Sequence, residues 1–143
     1  FAWPIAKAVA PATVYAVEVD QDFVTLMQQR VKESQLSNVR PLLGKFDDPT
    51  LPEKVDLAFF SDVLHHVANR GAYLKTVAGY LKPGGRIAVI ELDVPHPNSP
   101  HKNHPDQQVT KPQLDEWMTA AGLTKASDIP LFEDKWFVIY RKR

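Results

Sequence analysis

Leu81-Lys82-Pro83-Gly84-Gly85-Arg86-Ile87-Ala88-Val89-Ile90-Glu91 decides how this chain is read. A helical pattern ends at Leu81, a Pro-Gly-Gly turn follows, and a β-branched run begins at Arg86. Proline cannot continue a helix, and glycine adopts the left-handed conformation that closes one. The stretch predicts helix, tight turn and a buried strand from Arg86 to Leu92, the repeating step of an open α/β sheet.

The same alternation extends in both directions. Val55-Asp56-Leu57-Ala58-Phe59-Phe60 is nearly all apolar, as a parallel strand covered on both faces requires, and a helix is expected from about Arg70 to Leu81. Further upstream, the β-branched run from Thr13 to Val19 reads as a strand ending in acids at Glu18 and Asp20. Asp22 marks a helix start, with Phe23, Leu26, Met27 and Val31 at helical spacing. Asn38 to Leu43 reads as a short strand closed by Gly44. Downstream, Val94 to Gln108 is rich in proline, histidine and asparagine and reads as a long surface loop. Thr110-Lys111-Pro112-Gln113 is a capping box that starts a helix ending near Ala121. Two last strands, Leu123 to Ile129 and Lys135 to Tyr140, lie too close in sequence for a crossover helix. They predict an antiparallel end to a mostly parallel sheet.

Composition bounds what this α/β chain does. Its 143 residues fit one domain, taken as 1–143. Seventeen basic and seventeen acidic residues cancel, so no global field draws nucleic acid or an anionic membrane, and neither partner is expected. The Arg141-Lys142-Arg143 tail reads as a solvated terminus, with a local basic patch as the alternative. No apolar run approaches the roughly 18 residues needed to span a bilayer. The absence of cysteine removes disulfides, thiolate zinc sites and cysteine nucleophiles, and fits a cytoplasmic protein. His96, His101 and His104 invite a metal reading, but their loop setting holds them on no common face, and no metal site is expected. Phe1 to Ala10 reads as a helix already under way, so a piece of a longer polypeptide is expected.

Ligands of doubly wound sheets sit beyond the carboxyl ends of the strands, and three such ends carry motifs. They are Ala16-Val17-Glu18-Val19-Asp20, then Gly44-Lys45-Phe46-Asp47-Asp48-Pro49-Thr50-Leu51-Pro52, then Phe60-Ser61-Asp62-Val63-Leu64-His65-His66-Val67. With Leu-Lys-Pro-Gly-Gly-Arg, this set resembles the class I S-adenosylmethionine-dependent methyltransferases. Asp-Asp-Pro-x-Leu-Pro together with His-His-Val looks like a subgroup of small bacterial members.

The resemblance implies a Rossmann-like, doubly wound, mostly parallel sheet with an antiparallel last strand. It implies S-adenosyl-L-methionine as cofactor and a small-molecule methyl acceptor as partner. Glu18 would accept the ribose hydroxyls and Val19 would pack on adenine, with Asp20 as the competing acid and a solvated strand end as the plain alternative. Phe46 and Asp47 would lie in the adenine loop. Lys45 stands where the family has an acid and cannot accept a hydrogen bond, so Asp47 or a backbone carbonyl would meet the adenine amino group. Ser61 would face the methionine portion. His66 is a weak candidate base, with a packing role as the alternative, and His65 is read as structural.

The family's first strand and Gly-x-Gly-x-Gly turn have no match here, so the fold is expected to be N-terminally truncated. The strand would lie between Thr13–Val19 and Val55–Phe60. One sheet is still expected, either with those two strands paired directly or with another chain filling the gap by exchange or as a homodimer. Methyl transfer is the leading functional reading. The alternative is a methyltransferase-fold domain that does not catalyse or bind cofactor by itself; a nicotinamide dehydrogenase would leave the antiparallel terminal pair unexplained.

Overall fold

The computed structural model describes residues 1–93, 96 and 103–143. Its chain divides into two compact units, residues 1–52 and 53–143.

In the first unit, α1 (Ala2–Val9) leads to β1 (Val14–Glu18), α2 (Gln21–Glu33) and β2 (Val39–Leu43). The two strands pair in parallel, from Val14 opposite Val39 to Glu18 opposite Leu43. Asp20 is the N-cap of α2, its side chain accepting from the Asp22 amide, so the acid that competes with Glu18 starts the helix. Val24 is the fully buried residue of α2, while Ala6, Ala16 and Val39 form a small core. Asn38 ties the segments together: its side-chain amide donates to the carbonyls of Ala6 and Ala12, both at 2.9 Å.

In the second unit, β3 (Val55–Ser61), α3 (Arg70–Gly79), β4 (Leu81–Leu92), α4 (Lys111–Ala120), β5 (Leu123–Ile129) and β6 (Lys135–Lys142) follow one another. The sheet order is β3-β4-β6-β5, with β3 and β4 parallel and β6 antiparallel to both its neighbours. The terminal strand therefore runs as the sequence predicts. Leu64, Leu74, Ile87, Leu114, Met118 and Val138 are among the apolar side chains buried between this sheet and its helices. Thr110 and Gln113 form the capping box that starts α4.

Three expectations are corrected. The strands make two sheets, β1-β2 and β3-β4-β6-β5, not one. β1 and β3 therefore belong to different sheets. The Pro-Gly-Gly stretch is not a turn between elements: α3 ends at Gly79, and Leu81 to Leu92 forms one long strand. Val55 lies opposite Leu81 and Leu57 opposite Arg86, so the turn chemistry is absorbed as a bulge, with Gly84 at φ +73°. The basic tail is structured in part: Lys142 closes β6 and donates to the carbonyls of Ala78 and Leu81 at 2.7 and 3.2 Å, capping the end of α3.

Candidate functional site

Parallel pairing sets the carboxyl ends of β1 and β2 side by side. The Gly44 amide donates to the Glu18 carbonyl at 2.8 Å, so the loop after β2 begins against the end of β1. A side chain at position 44 would not fit, since a Cβ there would stand 2.7 Å from Val17 Cγ1. Past this contact the loop turns back on itself. The Lys45 amide donates to the Asp48 carbonyl at 2.7 Å, and the Thr50 amide to Asp48 Oδ1 at 2.7 Å. Thr50, at φ +51°, also donates its hydroxyl to the Leu43 carbonyl at 2.9 Å. These bonds fix the left-handed conformation locally.

Glu18 curls over its own strand end. Its Oε1 accepts from the amides of Val19 and Asp20 at 2.7 and 3.3 Å, while Oε2 takes no hydrogen bond among the described residues. Asp20 is committed to capping α2. Beside this carboxylate the surface is apolar: Val19 is exposed, and Phe46 is 85% exposed. Asp47 is exposed in the same loop. The first unit thus brings Glu18, Val19, Phe46 and Asp47 to one pair of strand ends.

The second unit has its own strand-end cluster. Ser61 ends β3 opposite Ile90, and the Asp62 amide extends the ladder by donating to the Ile90 carbonyl at 3.0 Å. The turn Leu64–His66 follows. His65 is buried and sets its Nδ1 2.7 Å from Oε1 of Glu91, which is 1% exposed. Opposite a carboxylate, which only accepts, Nδ1 is the protonated nitrogen. Glu91 also accepts from the His65 amide at 3.2 Å and the Leu92 amide at 3.2 Å. His66 is exposed, its ring centroid 4.1 Å from that of His65 at a 48° tilt.

Arg70, the first residue of α3, fixes the turn from outside. It donates to the carbonyls of Leu64 at 3.1 Å and His65 at 2.9 Å. It also reaches those of Asp106 at 2.5 Å and Gln108 at 3.3 Å. Lys135, at the start of β6, donates to Asp62 Oδ2 at 2.5 Å.

The sequence reading missed Glu91, Arg70 and Lys135. Only Glu91 carried a signal: a charge inside the apolar run Ile87 to Leu92 must find a partner once buried. His101 of the proposed histidine loop lies outside the described residues. Among the described residues no helix is long and apolar enough to cross a membrane.

Solved structures of S-adenosylmethionine-dependent methyltransferases share this chain's fold. A crystal structure of such an enzyme from Aquifex aeolicus matches with a TM-score of 0.85 at 18% identity, covering 98% of this chain and 74% of that one. Magnesium protoporphyrin IX methyltransferase from Synechocystis PCC 6803, crystallised with bound SAM, matches with a TM-score of 0.71 at 17% identity, covering 98% and 63%. A family model described as a methyltransferase domain matches residues 2–89, and the chain belongs to that family. Among curated proteins, demethylmenaquinone methyltransferase of Geobacillus sp. (strain WCH70) is 29% identical over 93 residues, covering 64% of this chain. The chain spans 40% of that relative's length.

Proposed function

We propose that this chain takes part in S-adenosylmethionine-dependent methyl transfer to a small-molecule acceptor. The observation that carries the reading is the β1 end: a carboxylate oxygen open to a ligand, beside exposed Val19 and Phe46. A nucleoside offers hydroxyl donors and a flat apolar base, and this acceptor with its apolar neighbours fits both. Glu18 would hold the ribose hydroxyls, Val19 and Phe46 would cover adenine, and Asp47 or a loop carbonyl would accept from its amino group. In the 53–143 unit, Ser61 would serve the methionine portion.

When bound, the cofactor supplies an electrophilic methyl group on a sulfonium. What the protein then contributes is mainly alignment of the acceptor, because such transfers are largely a matter of positioning. Arg70 and the Glu91–His65 pair hold the segment 61–67 in one conformation, which is the rigidity that alignment needs. His66, exposed beside His65, is the side chain of this segment that would take a proton from an acceptor. The names of both compared enzymes and of the curated relative support methyl transfer, and the acceptor is left as a small molecule.

Calorimetric titration with S-adenosylhomocysteine tests the reading, using this chain and a form extended upstream of Phe1. Saturable binding to either supports it. No binding to either overturns it in favour of a domain that does not use the cofactor.

A further inference from the structure

A cleft of about 610 Å³ opens in the first unit, walled by β1, β2 and the last two turns of α2. None of Glu18, Val19, Phe46 or Asp47 lines it. Parallel register sets Tyr15 of β1 opposite Arg40 of β2, and alternation along the strand puts Leu42 on the same side. That side is turned away from Ala16 and Val39, the core that α1 and α2 cover. Parallel strands are ordinarily covered on both faces. Here both helices of the unit pack on one face, leaving Tyr15 and Leu42 half-buried and Arg40 exposed on the other. The cleft extends round the free edge of β2, where Lys32 of α2 also lines it.

The charge of the cleft is one-sided. Arg40 and Lys32 line it, and no acidic residue does. Four other lysines are ion-paired with aspartates, whereas Lys32 makes no hydrogen bond or ion pair among the described residues. Arg40 donates through Nη1 to the carbonyls of Ser37 and Val39 at 2.5 and 3.2 Å and meets no carboxylate among those residues. A cleft of this size suits a small molecule, with an apolar wall and a few polar groups to fix its orientation. Pro41 lies in the edge strand β2 and removes a backbone donor, which disfavours strand addition by an extended peptide. A flat apolar body against Tyr15 and Leu42, with one anionic group toward the two cations, matches this lining.

We propose that this cleft binds an aromatic carboxylate. Arg40 takes the carboxylate, Lys32 adds a second positive charge from the β2 edge, and Tyr15 with Leu42 carries the ring. The site is separate from the function proposed above and does not rest on it.

The test titrates the 143-residue chain with 2-naphthoate and with 2-naphthamide at neutral pH, followed by amide chemical shifts. The two probes share the ring and differ in charge. Two solvent-exposed ion pairs are together worth about tenfold, so naphthoate should bind about tenfold more tightly than the amide. Shifts should centre on residues 13–15, 28–32 and 39–42, and the preference should shrink with added salt. Arg40→Gln and Lys32→Gln should each cut the preference to about threefold, and the double variant should abolish it. Arg40 also bonds the Ser37 and Val39 carbonyls, so Lys32→Gln is the variant that leaves the backbone contacts intact, and its thermal melt should match wild type. Equal binding of the two probes by wild type, or a tenfold preference retained in Lys32→Gln, would overturn the proposal. So would shifts centred on residues 18–20 and 43–47, or no binding of naphthoate up to its solubility.

Discussion

Replacing Glu91 with alanine should be among the most damaging single changes in the 53–143 unit. The carboxylate accepts from the His65 ring and from the amides of His65 and Leu92, with no water access to replace it. Each donor left without a partner in a buried site costs about 1–3 kcal/mol, so losing the acceptor of three donors costs about 3 kcal/mol or more. A whole domain is stable by only about 5–15 kcal/mol. With a urea slope of about 1.5 kcal/mol/M for a unit of this size, the midpoint should fall by about 2–3 M. Trp136, buried on β6 directly opposite Glu91, makes tryptophan fluorescence a local reporter. The double variant Glu91→Leu with His65→Leu removes the ring donor together with the carboxylate and should recover part of the loss, the His65 and Leu92 amides staying unpaired. A midpoint shift below about 0.5 M for Glu91→Ala, or a double variant as unstable as the single one, would refute this account of the pair.

Burial would raise the Asp115 carboxyl, but hydrogen bonds from Lys125 and Tyr140 outweigh it and hold the group below its ordinary value. Its contribution is therefore present above the unfolded value near pH 4 and lost as pH falls through the folded one, so Asp115→Asn should flatten the decline in urea midpoint between about pH 5 and 2. Tyr140 is shifted upward, first by burial and then by Asp115; ultraviolet titration should leave one tyrosine un-ionised beyond the usual range near pH 10 until the chain unfolds. Gly44→Ala places a methyl 2.7 Å from Val17 Cγ1, and hydrogen exchange should report loosening of the β1–β2 pair worth about 1–3 kcal/mol.

The strands were legible because their signal is local. β-Branched and apolar runs such as Val55 to Phe60 and Ile87 to Ile90 suit a covered sheet wherever they occur. Helix starts were legible for the same reason, as the Thr110–Gln113 box shows. Leu81 to Gly85 was misread because local turn chemistry competes there with tertiary pairing: β3 recruits Leu81 into its ladder and the glycine step becomes a bulge. The division of the strands into two sheets is a long-range outcome that no local residue pattern encodes. At the candidate site, Glu18 and the Gly44 loop could be read because strand ends and glycines are visible in sequence. The Glu91–His65 pair joins residues 26 positions apart and the Asp62–Lys135 pair residues 73 apart, and neither separation follows any helical or strand period.

The central claim is that the end of β1 binds the adenosine portion of the cofactor through Glu18. It is tested most directly by the affinity of S-adenosylhomocysteine for wild type and Glu18→Ala, measured by calorimetry on the same binding-competent form. Loss of a charged acceptor should weaken binding about ten- to a hundredfold, with the melting temperature of the free protein unchanged. An affinity within twofold of wild type would contradict the assignment and move the ribose contact to Asp20.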